Sequence, residues 1–202
     1  MSADRRVEIR GHNRLFDDFF KIDELILRHE RHDGGMSGEE RRLVFERGDA
    51  IAVLLFDEKT RAVVLVEQFR APTLIARRRD DPASTAGRIV ELVAGMIDQG
   101  ETAHQAAIRE VFEETGYRIG NPRPIGQFFS SPGGSDERFF LYFARVEPAQ
   151  REGVGGGLAG EEDIKVFQLP LDDLFRELAR GTIEDPKLAI AAYWLKDNID
   201  RL

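Results

Sequence analysis

The apolar positions of this chain change their period several times, and each change marks an element. From Val7 to Arg31, apolar patches at Leu15-Phe16, Phe19-Phe20 and Leu25-Ile26-Leu27 lie among many charges, which predicts one or two antiparallel strands outside the main core. Asp33-Gly34-Gly35 is a turn signal. Ala50 to Phe56 and Ala62 to Gln68 are β-branched and apolar, and the polar Asp57-Glu58-Lys59-Thr60 between them predicts a hairpin. Ala76 to Gly87, with Arg77, Arg78 and Arg79 together, reads as a polar loop, and Ile89 to Ala94 as a short strand running into Gly95. Thr102 to Thr115 predicts a helix, because Ala103, Ala106, Ala107, Val111 and the methyl of Thr115 recur at three- and four-residue intervals. Gly116 follows where a left-handed residue ends such a helix. Strands are expected at Ile125 to Phe129, Arg138 to Val146 and Ile164 to Leu169. Pro170 opens a helix through about Ala179, and Asp185-Pro186 is an N-cap and first-position pair for another through about Asn198.

Strands dominate the middle and helices are few, in an order that is not a βαβ alternation. The fold class is therefore α+β, a mixed α/β sandwich, with an N-terminal β-strand extension. The expected division is an N-terminal β extension over residues 1–47 and a main domain over 48–202. Gly153 to Gly160 is too rich in glycine to be anything but a loop, and it leads into Glu161-Glu162-Asp163. No internal repeat is present at solenoid periods.

Composition narrows the chemistry. With no cysteine, disulfides, thiolate zinc sites, iron–sulfur clusters and cysteine nucleophiles are excluded. The net charge of −8, from 37 acidic and 29 basic residues, argues against a nucleic-acid partner, though not against a small anionic substrate met by local arginines or a metal. The N-terminus lacks the apolar stretch of a secretory signal, and no run approaches the roughly 18 apolar residues of a membrane helix. A soluble, cytoplasmic chain without a membrane partner is expected.

The segment Gly95 to Tyr117 concentrates the chemistry. Glu110, Glu113 and Glu114 stand at i, i+3 and i+4, so their carboxylates crowd one helical face. Like charges at that spacing repel, and a hard divalent cation such as Mg²⁺ converts the repulsion into ligation by oxygen. Arg109 can reach Glu113 across one turn, or Glu101 at the helix start, and so orient the cluster. Gly95 would let the backbone turn tightly after its strand.

Gly95, Glu101, Arg109, Glu110, Glu113, Glu114 and Gly116, with Val111 and Tyr117, match G-x5-E-x7-R-E-U-x-E-E-x-G-U, where U is bulky and apolar. Seven fixed positions at average residue usage make a chance match on the order of 10⁻⁸ per start. The segment resembles the signature box of Nudix hydrolases, which hold divalent metals on this helix and cleave a nucleoside diphosphate linked to another moiety. The resemblance implies metal ligation by Glu110 and Glu114, with Glu113 close by and the Ala94 carbonyl assisting. Arg109, Glu101, Gly95 and Gly116 are implied as structural, and Glu91 matches a glutamate near the metals. The implied cofactor is Mg²⁺, with Mn²⁺ an alternative.

Ser130-Ser131-Pro132-Gly133-Gly134-Ser135-Asp136-Glu137 resembles the corresponding segment of ADP-ribose pyrophosphatases, as do the stretches from Met36, Val66 and Gly156. That likeness implies Glu137 at the terminal ribose, Arg70 and Arg42 at phosphates, with Arg42 reaching a partner subunit's site, and Phe19 or Phe20, with Phe20 preferred, stacking on the base. One departure stands out. The acidic loop of the subfamily reads E-x-E-D-I, whereas this chain has Glu161-Glu162-Asp163-Ile164, one residue shorter. Glu162 aligns as a ligand and Glu161 is left as the candidate base.

The implied reaction is hydrolysis of ADP-ribose to AMP and ribose 5-phosphate. GDP-mannose, giving GMP and mannose 1-phosphate, is the rival substrate, and a silent nucleotide-binding Nudix domain is a reading from another class. The resemblance also implies a homodimer formed through the N-terminal strands.

Overall fold

The computed structural model describes residues 5–157 and 163–202. By its internal contacts the chain separates into two compact units, Met1–Asp49 with Phe129–Arg138, and Ala50–Phe128 with Phe139–Leu202.

The first unit holds three antiparallel strands in the order β1-β2-β3: β1 (Val7–Asp17), β2 (Lys21–His29) and β3 (Glu40–Glu46). The third strand is one more than the apolar pattern predicts. ERRLVFE shows no alternation strong enough to mark it, and its ladder to β2 comes from cross-strand partners such as Lys21 opposite Glu46. Asp23, the one buried residue of these strands, accepts hydrogen bonds from Arg14 and pairs with His12 at 2.7 Å. Arg14 first, then His12, holds its carboxyl down at about 2. The segment 129–138 docks on this unit's own β3: Phe45 N–H donates to the Gly134 carbonyl at 2.8 Å, and Arg138 forms a two-pronged pair with Asp49.

The second unit is a sheet covered on both faces. Its central path runs β10 (Lys165–Pro170), β5 (Ala62–Phe69), β4 (Ala50–Asp57), β9 (Arg138–Val146), β8 (Arg123–Phe129). Two short strands complete it, β6 (Arg88–Glu91) on β5 and β7 (Val93–Met96) on β4. The expected β4–β5 hairpin is present, and β4 pairs with β9 in parallel, Ile51 opposite Phe140.

Alternation along the strands sorts the core into two layers. Leu54, Phe56, Leu65, Leu141 and Phe143 pack against α3 (Leu171–Arg180) and α4 (Pro186–Asn198). Ile51, Val53, Val64, Val66 and Val93 pack against Ala106, Ala107 and Val111 of α2 (Ala103–Thr115). Burial on both faces explains why β4 reads as an unbroken apolar run. At the start of α4 the Asp185 side chain accepts from the amides of Lys187 and Leu188, the capping that Asp185-Pro186 forecast.

One expectation is corrected. The first part of the stretch expected as a loop, Ala76 to Asp80, is helical, and only residues 81–87 form the loop: α1 (Ala71–Asp80) carries Arg77, Arg78 and Arg79 in its last turn. It escapes the periodicity argument because none of its residues is buried. Backbone groups hold it instead, with Arg77 donating to the carbonyls of Ala86 and Arg88 and pairing with Glu184 at 2.7 Å.

Candidate active site

The chemistry-bearing helix α2 is fixed at both ends. At its start, Thr102 and Gln105 form a reciprocal capping box. At its end, Gly116 adopts φ 75° and its N–H donates to the Phe112 carbonyl at 2.8 Å. Val111 and the paired Ala106-Ala107 face the sheet, which leaves the glutamates along the edge beside β7.

Arg109 organises that edge. Its guanidinium donates to both carboxyl oxygens of Glu101 at 3.1 and 2.9 Å, to Glu110 at 2.6 Å, to Glu113 at 3.1 Å and to the Met96 carbonyl at 2.9 Å. The bond to Glu101, followed by Glu110 and Glu113, raises the affinity of Arg109 for its proton. The same contact holds the Glu101 carboxyl below its ordinary range. Thus Arg109 ties the helix to β7 and turns Glu110 and Glu113 in one direction.

Gly95 has a different role from the tight turn expected of it. It sits in the regular strand β7 opposite Ile51 and is not among the positive-φ glycines. A Cβ at this position would displace the Glu110 carboxyl, the movable end of its side chain, so glycine is what lets that carboxyl lie against the strand backbone. Buried Glu114 lies beside the Ala94 amide at 3.4 Å.

The donor set is hard oxygen throughout, and the Gly95 cradle holds one carboxylate against the strand backbone. Those features suit a divalent cation of the Mg²⁺ type. Among the described residues the carboxylates do not converge on one point, because Glu110 and Glu113 both turn to Arg109 while Glu114 turns to Ala94. Ligation would therefore draw Glu110 and Glu113 partly away from the guanidinium.

The remaining candidates fall into separate groups. In the second unit, Arg70 pairs with the buried Glu91 at 2.8 Å, and Lys187 reaches the other Glu91 oxygen at 3.4 Å and Asp185 at 2.7 Å. In the first unit, Phe20 packs edge-on against Phe45, while Arg47 lies 5.7 Å from the Phe20 ring centre and 3.6 Å from Glu137. Ser130 donates to Glu137 at 2.6 Å, so Phe20 and Glu137 share one neighbourhood through Arg47. Phe19 is far more exposed, at 84 % against 39 % for Phe20, which leaves Phe20 the better anchored ring. Arg42 is exposed on β3 and bound to Glu40. Glu161 and Glu162 lie outside the described residues.

Sequence reasoning missed Arg47 and Lys187. Arg47 is one arginine among many and Lys187 follows an N-cap signal that already accounted for its segment. Their only mark in the sequence is nearness to Phe45 and to Asp185, whose importance emerges from the packing.

A two-faced mixed sheet with a capped, glutamate-lined helix at its edge defines a class of fold whose chemistry is concentrated on that helix. The model of the NUDIX domain family matches residues 46–190. The chain is similar to a protein from Escherichia coli named ADP-ribose pyrophosphatase, with 35 % identity over 190 residues, 94 % of this chain and 88 % of that one. A protein of the same name from Haemophilus influenzae is 32 % identical over 196 residues, 97 % of this chain and 88 % of its own length. A protein from Escherichia coli named GDP-mannose pyrophosphatase is 32 % identical over 183 residues, 90 % of this chain and 91 % of that one. The chain belongs to the NUDIX family.

Proposed function

We propose that this protein hydrolyses the diphosphate bridge of a nucleoside diphosphate sugar, with ADP-ribose as substrate and AMP and ribose 5-phosphate as products. The observation that carries the reading is the edge of α2, where Arg109 aligns Glu110 and Glu113 while Glu114 meets the strand backbone at Ala94. The names of the relatives from Escherichia coli and Haemophilus influenzae support the substrate class.

In this proposal Glu110, Glu113, Glu114, the Ala94 carbonyl and Glu162 hold Mg²⁺, with Mn²⁺ a substitute. The metal supplies neutralisation of the diphosphate oxygens and of the departing phosphate. Glu161 takes a proton from the attacking water, which adds to one phosphorus as the bond from that phosphorus to the bridging oxygen breaks. A separate base is favoured because a carboxylate engaged with a metal is a poor proton acceptor. Arg70, held by Glu91, and Arg42 bind phosphate oxygens. Phe20 stacks on the base and Glu137 accepts from the terminal ribose.

The first unit forms the contact of a homodimer, which the exposure of Val7, Ile9, Leu15, Phe16 and Leu43 supports. The division of labour is a β extension over 1–47 and a hydrolase domain over 48–202. The setting is cytoplasmic, with no nucleic-acid or membrane partner; among the described residues no helix is long and apolar enough to cross a membrane.

GDP-mannose remains a second reading because a relative of that name aligns over 90 % of the chain. Chromatographic product analysis with the two substrates in parallel, with and without Mg²⁺, separates the readings. AMP from ADP-ribose in the presence of Mg²⁺ is the expected result. GMP released mainly from GDP-mannose would move the substrate, and no metal-dependent turnover of either would contradict the proposal.

A further inference from the structure

We propose that the glycine run Gly153–Gly157 is a positioning element for the metal-site glutamates, acting through the main chain at the end of α2. This rests on the metal-binding reading of Glu113 and Glu114 given above.

A helix leaves its last four carbonyls without helical partners. At the end of α2 the glycine run supplies donors to the very residues that carry the carboxylates. Gly156 N–H donates to the Glu114 carbonyl at 2.7 Å, and Gly157 N–H to the Glu113 carbonyl at 3.2 Å. One step further on, the amides of Glu152 and Gly153 both donate to the Gly116 carbonyl, at 2.9 and 3.1 Å. Arg118 N–H donates in turn to the Gln150 carbonyl at 2.9 Å, so the two segments are zipped over several residues.

The contact is a close approach of two backbones, and this explains the composition. A Cβ at Gly155 would lie 2.6 Å from the Glu114 carbonyl oxygen and 2.7 Å from the Thr115 carbonyl carbon. A Cβ at Gly116 would collide with the Gly153 carbonyl oxygen. Gly155, Gly156 and Gly157 all have positive φ, at 70°, 103° and 82°, which lets successive amides turn toward the helix end. A generic flexible loop needs glycine for freedom. Here glycine is needed to come within hydrogen-bonding distance of Glu113 and Glu114.

The consequence is mechanical. Glu114 is pinned at its side chain by the strand β7 and at its carbonyl by Gly156, and Glu113 at its side chain by Arg109 and at its carbonyl by Gly157. Lifting the glycine run off the helix would release the main-chain half of both restraints, while Arg109 and the core face of α2 would remain in place. The loss should therefore appear in metal affinity more than in folding.

The test separates close approach from backbone strain. Gly155→Asn keeps a residue that tolerates the left-handed region but adds the colliding Cβ. Gly181→Ala is the control, because Gly181 has the same φ of 70° with nothing within 4 Å of its Cβ position. Direct Mn²⁺ binding, read from the electron paramagnetic resonance signal of the free ion, is measured on the full chain beside its melting temperature. Gly116→Asn, which attacks the same contact from the helix side, replaces Gly155→Asn where the latter does not fold. The expected result is Mn²⁺ binding weakened about 10- to 100-fold in Gly155→Asn, the range typical of lost outer supports of a metal site, and unchanged in Gly181→Ala. Equal Mn²⁺ affinity in folded Gly155→Asn and wild type would overturn the inference. No Mn²⁺ binding by wild type would overturn the metal-site reading beneath it.

Discussion

In the three strands of the first unit Asp23 is the one buried residue, whereas seven of the eight residues of β4 in the second unit are buried. The first sheet is held by its ladder and by ion pairs such as Arg14 with Asp23 and Arg41 with Glu24, most of them open to solvent. Pairs of that kind contribute little each. The second sheet is held by two apolar layers, and one of them sets the roll of α2 and so the direction of its glutamates. The contrast shows where rigidity is concentrated. The carboxylates proposed to hold a metal stand on a packed helix, while the side chains proposed to meet base, ribose and a partner belong to the thinner first unit, with Phe20 in the bend between β1 and β2, Glu137 in the segment 129–138 and Arg42 on β3.

The packed layers are where a single substitution should cost the most. Leu174→Ala, at a fully buried position between α3 and the sheet, should cost about 2–5 kcal/mol in denaturant unfolding. A loss no larger than that of a surface substitution would break the contrast.

A smaller effect is expected from Arg109→Leu. It leaves Glu101, Glu110 and Glu113 without their shared cation, in a setting where the Arg109 side chain is 28 % exposed and water softens the penalty. The cost should be about 1–3 kcal/mol at neutral pH, shrinking as pH falls well below the ordinary glutamate value of about 4.3, because the Glu101 carboxyl that Arg109 holds down then loses its charge in the fold.

The smallest effect belongs to the first sheet and depends on pH. The Asp23 carboxyl is held at about 2 in the fold, below the ordinary value of about 3.9. Its contribution is fully present above about pH 4 and is lost as pH falls toward 2, because the unfolded chain takes up the proton first. Melting curves of wild type and Asp23→Asn should therefore differ at pH 5 and converge toward pH 2. A difference that persists at pH 2 would show that the site acts through something other than this charge.

The sequence made the second unit legible and the first much less so, for physical reasons. The α2 helix announces itself because its apolar spacing, its ending glycine and its charged edge agree with one another. β4 and β5 are visible because both faces are buried. β3 and α1 escape because neither shows a buried face, and their hydrogen bonds run to partners distant in sequence, such as Arg77 to Arg88 and Phe45 to Gly134. Gly95 shows a subtler limit: the glycine stood out in the sequence, but what it makes room for is a carboxyl from a helix fifteen residues on, and not a turn. In the same way the Gly153–Gly157 stretch reads as a loop, while its contact with the carbonyls of Glu113 and Glu114 emerges only in three dimensions.

The glutamates of α2 are proposed to hold the metal on which hydrolysis of the diphosphate depends. The most direct test of that role is AMP release from ADP-ribose by wild type and Glu114→Gln side by side across a Mg²⁺ titration, with melting temperatures taken on the same samples. Turnover should fall by about 10² or more in Glu114→Gln, with little change in melting, because a charge is removed while the shape of the buried side chain is kept. Turnover near that of wild type, at the same Mg²⁺ dependence, would contradict that role.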